Sequence, residues 1–242
     1  LRSNKSFFYL RRRAAPGLVE AVNAIGEPGL ALEREPDRLY PQTSLAAHVI
    51  GYTDVDGKGT AGIEWALNDK LSDAATRGQP VQLSISSKVQ QAPEHELLDA
   101  MTHFSAVGAA GIIMDIHSGE VLAMTSLPQL NPNAAGKGSI EARFNRATLG
   151  VYELGSTFKP FTVAMAMDSG VVRSMGQIYN CPNQLNVYGR TINDTHPFNR
   201  ACTVAEIMKE SSNIGTAQIA AQLGSTRQKD FLRKMGFLDP VA

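Results

Sequence analysis

The sequence predicts an α+β protein in two parts, an irregular module over residues 1–78 and a second α+β domain over residues 79–242. Three observations carry this prediction. Proline and glycine interrupt the first part repeatedly, two apolar runs flank a turn signal within 108–126, and apolar residues recur at helical spacing behind polar residues near 156 and 212. Strands that pair with each other beside helices are typical of the α+β class.

Composition excludes several classes of protein. Of the 242 residues, 43% are hydrophobic and 19% are charged, which is typical of a globular chain and argues against disorder. The formal net charge is zero, so we expect no nucleic-acid partner, and the cluster Arg11–Arg13 is interpreted as a solvated face. No apolar run approaches the roughly 20 residues that span a bilayer, and no signal-peptide pattern is visible. Because the chain opens with Leu1, we expect a fragment of a longer protein.

In the first part, residues 45–71 predict a short apolar strand, a Gly/Asp turn and an amphipathic helix. Ile63, Leu67 and Leu71 lie at i, i+4 and i+8, which places them on one helical face.

The second part begins with VQLSI (81–85), whose alternation predicts a half-buried strand. A helix is expected over 88–101, in which Pro93 predicts a kink or a later start. Residues 108–126 predict two apolar strands joined by a His-Ser-Gly turn, and 127–133 predict a proline-rich loop.

Cys181 and Cys202 lie about twenty residues apart without the spacing or histidine partners of a zinc site. A disulfide and two buried thiols remain equally compatible with this pattern.

The stretch ELGSTFKPF (153–161) has the features of a reactive helix start. Proline is tolerated in the first turn of a helix, so Pro160 predicts a start close to Ser156, with Gly155 as a flexible entry. Lys159 then lies one turn after Ser156 on the same face. A desolvated lysine can lose its proton near neutral pH and accept the serine proton. The alternative is a serine N-cap beside an exposed lysine.

A second polar cluster, Ser211-Ser212-Asn213, immediately precedes an apolar helix. Because Ser and Asn are preferred N-cap residues, this cluster alone is compatible with an ordinary helix start. The combination of Ser-x-x-Lys with a later Ser-x-Asn favours catalysis. In this interpretation the second motif supplies a hydroxyl and an amide that face the same cleft as Ser156.

With both motifs, the chain resembles the class B penicillin-binding proteins, the peptidoglycan D,D-transpeptidases, and more closely their septal, cell-division members. RLYPQTSLAAHVIGYTDVDGKGTAGIEWALNDKL is similar to the family's pedestal region with its Gly-x-x-Gly-Ile-Glu. Four further stretches resemble the family's transpeptidase domain: VQLSISSKVQQ, AAGIIMDIHSGEVLAMTSLPQLNPN, FNRATLGVYELGSTFKPFTVAMAMDSG and TINDTHPFNRACTVAEIMKESSNIG. The resemblance implies a partial transpeptidase domain of the penicillin-binding-protein and serine β-lactamase fold behind a pedestal or dimerisation-like module.

The resemblance also implies the chemistry. Ser156 is the expected nucleophile, acylated by the penultimate D-alanine of a D-Ala-D-Ala stem peptide or by a β-lactam, and Lys159 is the expected general base. Ser211 is expected to relay a proton to the leaving amine, and Asn213 to hold the acyl donor's amide while contacting Lys159. Substrate contacts are implied for two further residues, Gly155 and Ser212.

The resemblance implies no metal and no cofactor. It implies a location at the periplasmic face of the bacterial inner membrane, an N-terminal transmembrane anchor outside this chain, and other cell-division membrane proteins as partners.

One expected motif is missing. The family has a Lys-Thr/Ser-Gly triplet on a strand beside the cleft, and the sequence contains neither form. We therefore expect a fragment with an incomplete active site. Two alternatives stay open: a non-catalytic division scaffold, and a serine β-lactamase, since class D enzymes share Ser-Thr-Phe-Lys but differ in the second motif.

Overall fold

The computed structural model describes residues 7–35, 37–76, 78–187 and 189–240. Its internal contacts divide the chain into two compact units, Leu1–Val151 and Tyr152–Ala242. The boundary predicted at residue 79 is a different division and stays a prediction. Within the described ranges, no helix is both long enough and apolar enough to cross a bilayer.

The first unit contains one long helix, several shorter ones and two antiparallel strand pairs, β1 with β2 and β3 with β4. Its elements are α1 (Pro16–Ile25), α2 (Ala47–Ile50), β1 (Tyr52–Thr53), β2 (Gly59–Ala61), α3 (Gly62–Ala66), α4 (Asn68–Ser72), α5 (Ser87–His103), β3 (Ala109–Met114), β4 (Val121–Leu127), a 3₁₀ helix (Pro132–Lys137), α6 (Ile140–Arg143) and α7 (Arg146–Leu149).

The second unit pairs β5 with β8 and β6 with β7, both antiparallel. Its elements are a 3₁₀ turn (Gly155–Phe158), α8 (Lys159–Asp168), β5 (Ile178–Cys181), β6 (Gln184–Val187), β7 (Arg190–Asn193), β8 (Arg200–Thr203), α9 (Val204–Lys209), α10 (Asn213–Leu223) and α11 (Ser225–Lys234).

The strand predicted at the start of residues 45–71 is wrong, because α2 occupies Ala47–Ile50 and β1 has only two residues. A short apolar run does not by itself distinguish a strand from a buried helical turn. The chain crosses itself closely at Gly51, where a Cβ would lie 1.8 Å from the Ala61 carbonyl oxygen. The predicted helix is present but is divided at Leu67 into α3 and α4. Its apolar face is confirmed, since Ile63, Leu67 and Leu71 are all half-buried.

The Gly-x-x-Gly-Ile-Glu segment has a structural explanation. A Cβ on Gly59 would lie 1.8 Å from the Glu64 carbonyl oxygen, and one on Gly62 would lie 2.5 Å from that of Val49. Glu64 is buried, and its carboxylate accepts a hydrogen bond from Arg38 Nε at 2.6 Å. Glycine is therefore required at both positions for backbone segments to touch.

The segment 81–85 alternates between half-buried and exposed residues as predicted, but it is not a strand. Its link to β4 is made by the Ser84 hydroxyl, which donates to the Val121 carbonyl at 2.7 Å, and by the Ser86 amide, which donates to that of Leu122 at 2.9 Å. These two bonds do not form a regular ladder.

The helix and hairpin that follow are confirmed. Helix α5 runs through Pro93, so a later start is wrong. Strands β3 and β4 pair from Ala109 opposite Leu127 to Met114 opposite Val121. The predicted loop over 127–133 is shorter than expected, because Leu127 ends β4 and Pro132 begins the 3₁₀ helix.

The basic cluster is occupied by carboxylates. Arg12 pairs with Glu35 at 2.8 Å and with Asp56 at 2.6 Å, and Arg13 pairs with Asp37 at 3.2 Å. This supports the interpretation of the cluster as a solvated face.

The core of the second unit surrounds a disulfide between Cys181 and Cys202, whose Cα atoms are 5.9 Å apart. The sequence was compatible with a disulfide or with two buried thiols, and the structure contains the disulfide. The buried residues packed together here are Val163, Ala166, Val172, Cys181, Cys202, Val204, Ile207 and Ile219.

Candidate active site

The helix start predicted at Ser156 is confirmed. Gly155 adopts a left-handed conformation (φ 56°), the 3₁₀ turn follows, and α8 continues from Lys159 with Pro160 in its first turn. The Lys159 amide donates to the Ser156 carbonyl. Ser156 is exposed, and amides in the first turn of a helix lack intrahelical acceptors. Its hydroxyl and amide are therefore available to a substrate.

Lys159 connects the first motif to the second. Its Nζ donates to the Ser211 hydroxyl at 3.0 Å and to the Ser211 carbonyl. Burial lowers the pKa of Lys159, and the negative charge of Asp194 raises it by a smaller amount. A lowered pKa favours the uncharged amine that a general base requires.

Ser211 has a conformation that serine rarely adopts (φ 55°). It follows the end of α9, where the Ser211 amide donates to Met208 at 3.3 Å and the Ser212 amide to Ile207 at 2.9 Å. These two bonds define a Schellman motif with Ser211 at the left-handed position that is usually glycine. The turn directs both the carbonyl and the hydroxyl of Ser211 to Lys159.

Ser212 is the N-cap of α10, as the simpler interpretation of the cluster predicted. Its Oγ accepts from the Gly215 amide at 2.9 Å and donates to Asp194 at 2.6 Å, and the residue is 1% exposed. Because the hydroxyl is buried and doubly bonded, this geometry gives no support to a substrate contact by Ser212.

Asn213 is exposed at the first position of α10. Its side-chain amide donates to the Asn193 carbonyl at 2.9 Å. The contact expected between Asn213 and Lys159 is not among the hydrogen bonds that join described residues. The role of Asn213 toward the substrate stays a prediction.

Close packing of α9 against α10 brings the turn into position. A Cβ on Gly215 would lie 2.4 Å from Ile207 Cγ1, so a larger residue would separate the two helices. Helix α10 also packs on α8, which carries Lys159. All the residues of the site belong to the second unit.

The sequence placed Asp194 only in a segment similar to the family, with a possible position at the cleft edge. The structure gives it three donors, the Ser212 hydroxyl and the amides of Asn213 and Ile214. Its partners lie 18 to 20 residues further along the chain. No local spacing signal could have indicated this contact.

Comparison with known proteins agrees with this geometry. Residues 109–240 match the family model of the penicillin binding protein transpeptidase domain. The chain is 40% identical over 227 residues to the probable peptidoglycan D,D-transpeptidase FtsI of Caulobacter vibrioides, covering 93% of this chain and 38% of that protein. It is 32% identical over 257 residues to the probable peptidoglycan D,D-transpeptidase PenA of Neisseria gonorrhoeae, covering 96% and 44%.

Solved structures show the same fold. Penicillin binding protein 3 of Mycobacterium tuberculosis in complex with ampicillin superposes with a TM-score of 0.73 at 28% identity, over 82% of this chain and 46% of that one. The D,D-transpeptidase domain from Eggerthella lenta superposes with a TM-score of 0.73 at 28% identity, over 85% and 49%.

The chain belongs to the penicillin-binding-protein transpeptidase family, and the predicted family and fold class are confirmed. It spans between 38% and 44% of the length of the two curated relatives named above.

Proposed function

We propose that the protein carrying this chain is a peptidoglycan D,D-transpeptidase that cross-links stem peptides during cell-wall synthesis at the septum. The names of its relatives support this activity. The observation that carries the proposal is the hydrogen bond of 3.0 Å between Lys159 Nζ and Ser211 Oγ. Lys159 lies one helical turn after Ser156.

In the proposed reaction, Lys159 accepts the hydroxyl proton of Ser156 while Oγ attacks the carbonyl carbon of the penultimate D-alanine. The Ser156 amide is a donor to the oxyanion. The peptide C–N bond then breaks, and a proton passes from Lys159 through Ser211 to the departing D-alanine amine. A stem-peptide amine next attacks the ester, which restores the Ser156 hydroxyl and forms the cross-link.

The remaining predicted residues have more limited support. Gly155 leaves open space where a side chain would stand, which suits a substrate that approaches its backbone. Asn213 is assigned to the amide of the acyl donor because its side chain is exposed beside Ser211. Ser212 is assigned to the helix cap only.

The proposal extends to inhibition and location. A β-lactam acylates Ser156 by the same attack, as the ampicillin complex of the mycobacterial relative suggests. The proposed location is the periplasmic face of the inner membrane, with a transmembrane anchor before this chain and division membrane proteins as partners. Residues 1–78 are the proposed pedestal module, and residues 79–242 the proposed part of the transpeptidase domain.

Labelling of the intact protein with a fluorescent penicillin tests the function. Ser156→Ala is expected to abolish the covalent band. The matched control is Ser169→Ala, at the other end of α8, where the hydroxyl donates to Ala166; this variant should label normally. Undiminished labelling of Ser156→Ala would refute the nucleophile, and an unlabelled wild type would favour a scaffold. Rapid turnover of nitrocefin would indicate a β-lactamase.

A further inference from the structure

Asp194 is the acceptor on which the second motif converges. Its Oδ2 accepts the Ser212 hydroxyl at 2.6 Å, while Oδ1 accepts the amides of Asn213 and Ile214. The carbonyl of the preceding residue, Asn193, accepts the Asn213 side chain at 2.9 Å. Asn193 and Asp194 therefore hold Ser212 and Asn213 of the motif and the residue that follows them, Ile214.

The position of Asp194 is itself fixed by the fold. It directly follows β7, which pairs with β6 from Gln184 opposite Asn193 to Val187 opposite Arg190. The strands on either side of this hairpin, β5 and β8, pair with each other, and the disulfide joins them. A closed segment thus presents Asp194 to the N-terminus of α10.

The same carboxylate acts on Lys159. The negative charge of Asp194 raises the pKa of Lys159, whereas burial lowers it. Other carboxylates near the motif are engaged or solvated: Glu210 pairs with Lys209 at 3.3 Å, and Glu153 has an exposed side chain. Within the described residues, Asp194 is the charged group that acts on Lys159.

We propose that Asp194 is a positioning residue of the transpeptidase reaction, which fixes the Ser211–Asn213 turn beside Lys159 through Ser212, Asn213 and Ile214. This inference rests on the proposed function. The negative charge of Asp194 has a second effect, because a nearby carboxylate favours the protonated form of lysine. Asp194 therefore influences both the geometry and the protonation of the site.

The pH dependence of acylation separates this role from a merely structural one. In the intact protein, Asp194→Asn is expected to slow acylation by fluorescent penicillin by about 10- to 100-fold, since the turn loses its orientation. The acid limb of the rate profile should move to lower pH, because removal of the charge lets Lys159 lose its proton more readily. Glu210→Gln removes a carboxylate next to Ser211 and is the matched control, with the wild-type rate and acid limb expected.

A second variant covers a failure of Asp194→Asn to fold. Asp194→Glu keeps the charge but moves the acceptor oxygens by one methylene, so we expect slower acylation with the wild-type acid limb. Wild-type rates in either variant would overturn the inference, as would slow acylation by Asp194→Asn with an unmoved acid limb. The Asp194 variants test this inference only if Ser156→Ala abolishes labelling. If Ser156→Ala is still labelled, the proposed function fails, whatever the Asp194 variants show.

Discussion

Ser211 occupies a backbone position where glycine is the usual residue, and it keeps a side chain there. A left-handed conformation costs a non-glycine residue about 1–2 kcal/mol. The hydroxyl that this conformation presents is the one bonded to Lys159. Strain at a residue in contact with the proposed base supports the proposed role of its hydroxyl.

Substitution of Ser211 should therefore separate stability from activity. Ser211→Gly relieves the strained backbone, so we expect unchanged or higher thermal stability, whereas Ser211→Ala keeps the strain. Both variants lose the hydroxyl and should acylate about 10²-fold more slowly. Thermal unfolding and the rate of penicillin acylation, measured on both variants, check this. A wild-type rate in Ser211→Gly would remove the hydroxyl from the mechanism.

Lys159 should also determine the pH dependence of the wild-type protein. Its pKa lies below the ordinary value of 10.5 because the side chain is partly buried. The acylation rate should rise with pH as the amine loses its proton, with a midpoint clearly below that value. Lys159→Met should lose this limb and about 10²- to 10⁴-fold in rate. An unchanged profile in Lys159→Met would exclude the amine as the base.

At the scale of elements, α9 is fixed at its start by a capping box. The Thr203 hydroxyl accepts from the Glu206 amide at 3.2 Å, and the Glu206 carboxylate accepts from the Thr203 amide at 2.8 Å and from Arg200 at 2.7 Å. Arg200 and Thr203 lower the pKa of Glu206 to about 2. This helix ends in the turn that carries Ser211, so its start affects the site.

The cap gives a pH-dependent contribution to stability. Because the folded-state pKa is below that of the unfolded chain, the contribution is present at neutral pH and is lost as pH falls from about 4.5 to about 2. Glu206→Gln should therefore unfold at lower temperature than the wild type at pH 7, and the difference should disappear near pH 2. A difference independent of pH would contradict the role of the carboxylate charge.

The disulfide makes a second prediction at this scale. It closes a loop with a sequence separation of 21 residues, which the chain-entropy model converts to about 3 kcal/mol of stability. Reduction of the wild type, or the double variant Cys181→Ala and Cys202→Ala, should lower the free energy of unfolding in urea by about this amount. Two titratable thiols in the unreduced protein would contradict the bridge.

Local signals predicted some elements and missed others. Pro160 and the apolar spacing behind it were sufficient for α8, and the hairpin of β3 and β4 was predicted by two apolar runs around a turn. The apolar run before Gly51 was interpreted as a strand but contains α2, because so short a run does not distinguish the two structures. The hydrogen bonds of Asp194 were not predicted because they depend on tertiary packing, in which a hairpin lies against the start of a distant helix.

At the scale of the whole molecule, the proposed catalytic groups all belong to the unit Tyr152–Ala242. Lys159 on α8 and Ser211 in the turn after α9 are joined by a hydrogen bond, and Ser156 lies three residues before Lys159. The chain nevertheless spans 38% of the Caulobacter relative and 44% of the Neisseria one. Activity should therefore be measured on the intact protein that carries this chain.

The central claim is that Ser156 is the hydroxyl which Lys159 activates. Its most direct test is peptide mass mapping of the intact protein after incubation with benzylpenicillin. We expect a single penicilloyl adduct on the peptide that contains Ser156, and no adduct in Ser156→Ala. An adduct on Ser211 or elsewhere, or an intact protein that stays unmodified, would contradict the account.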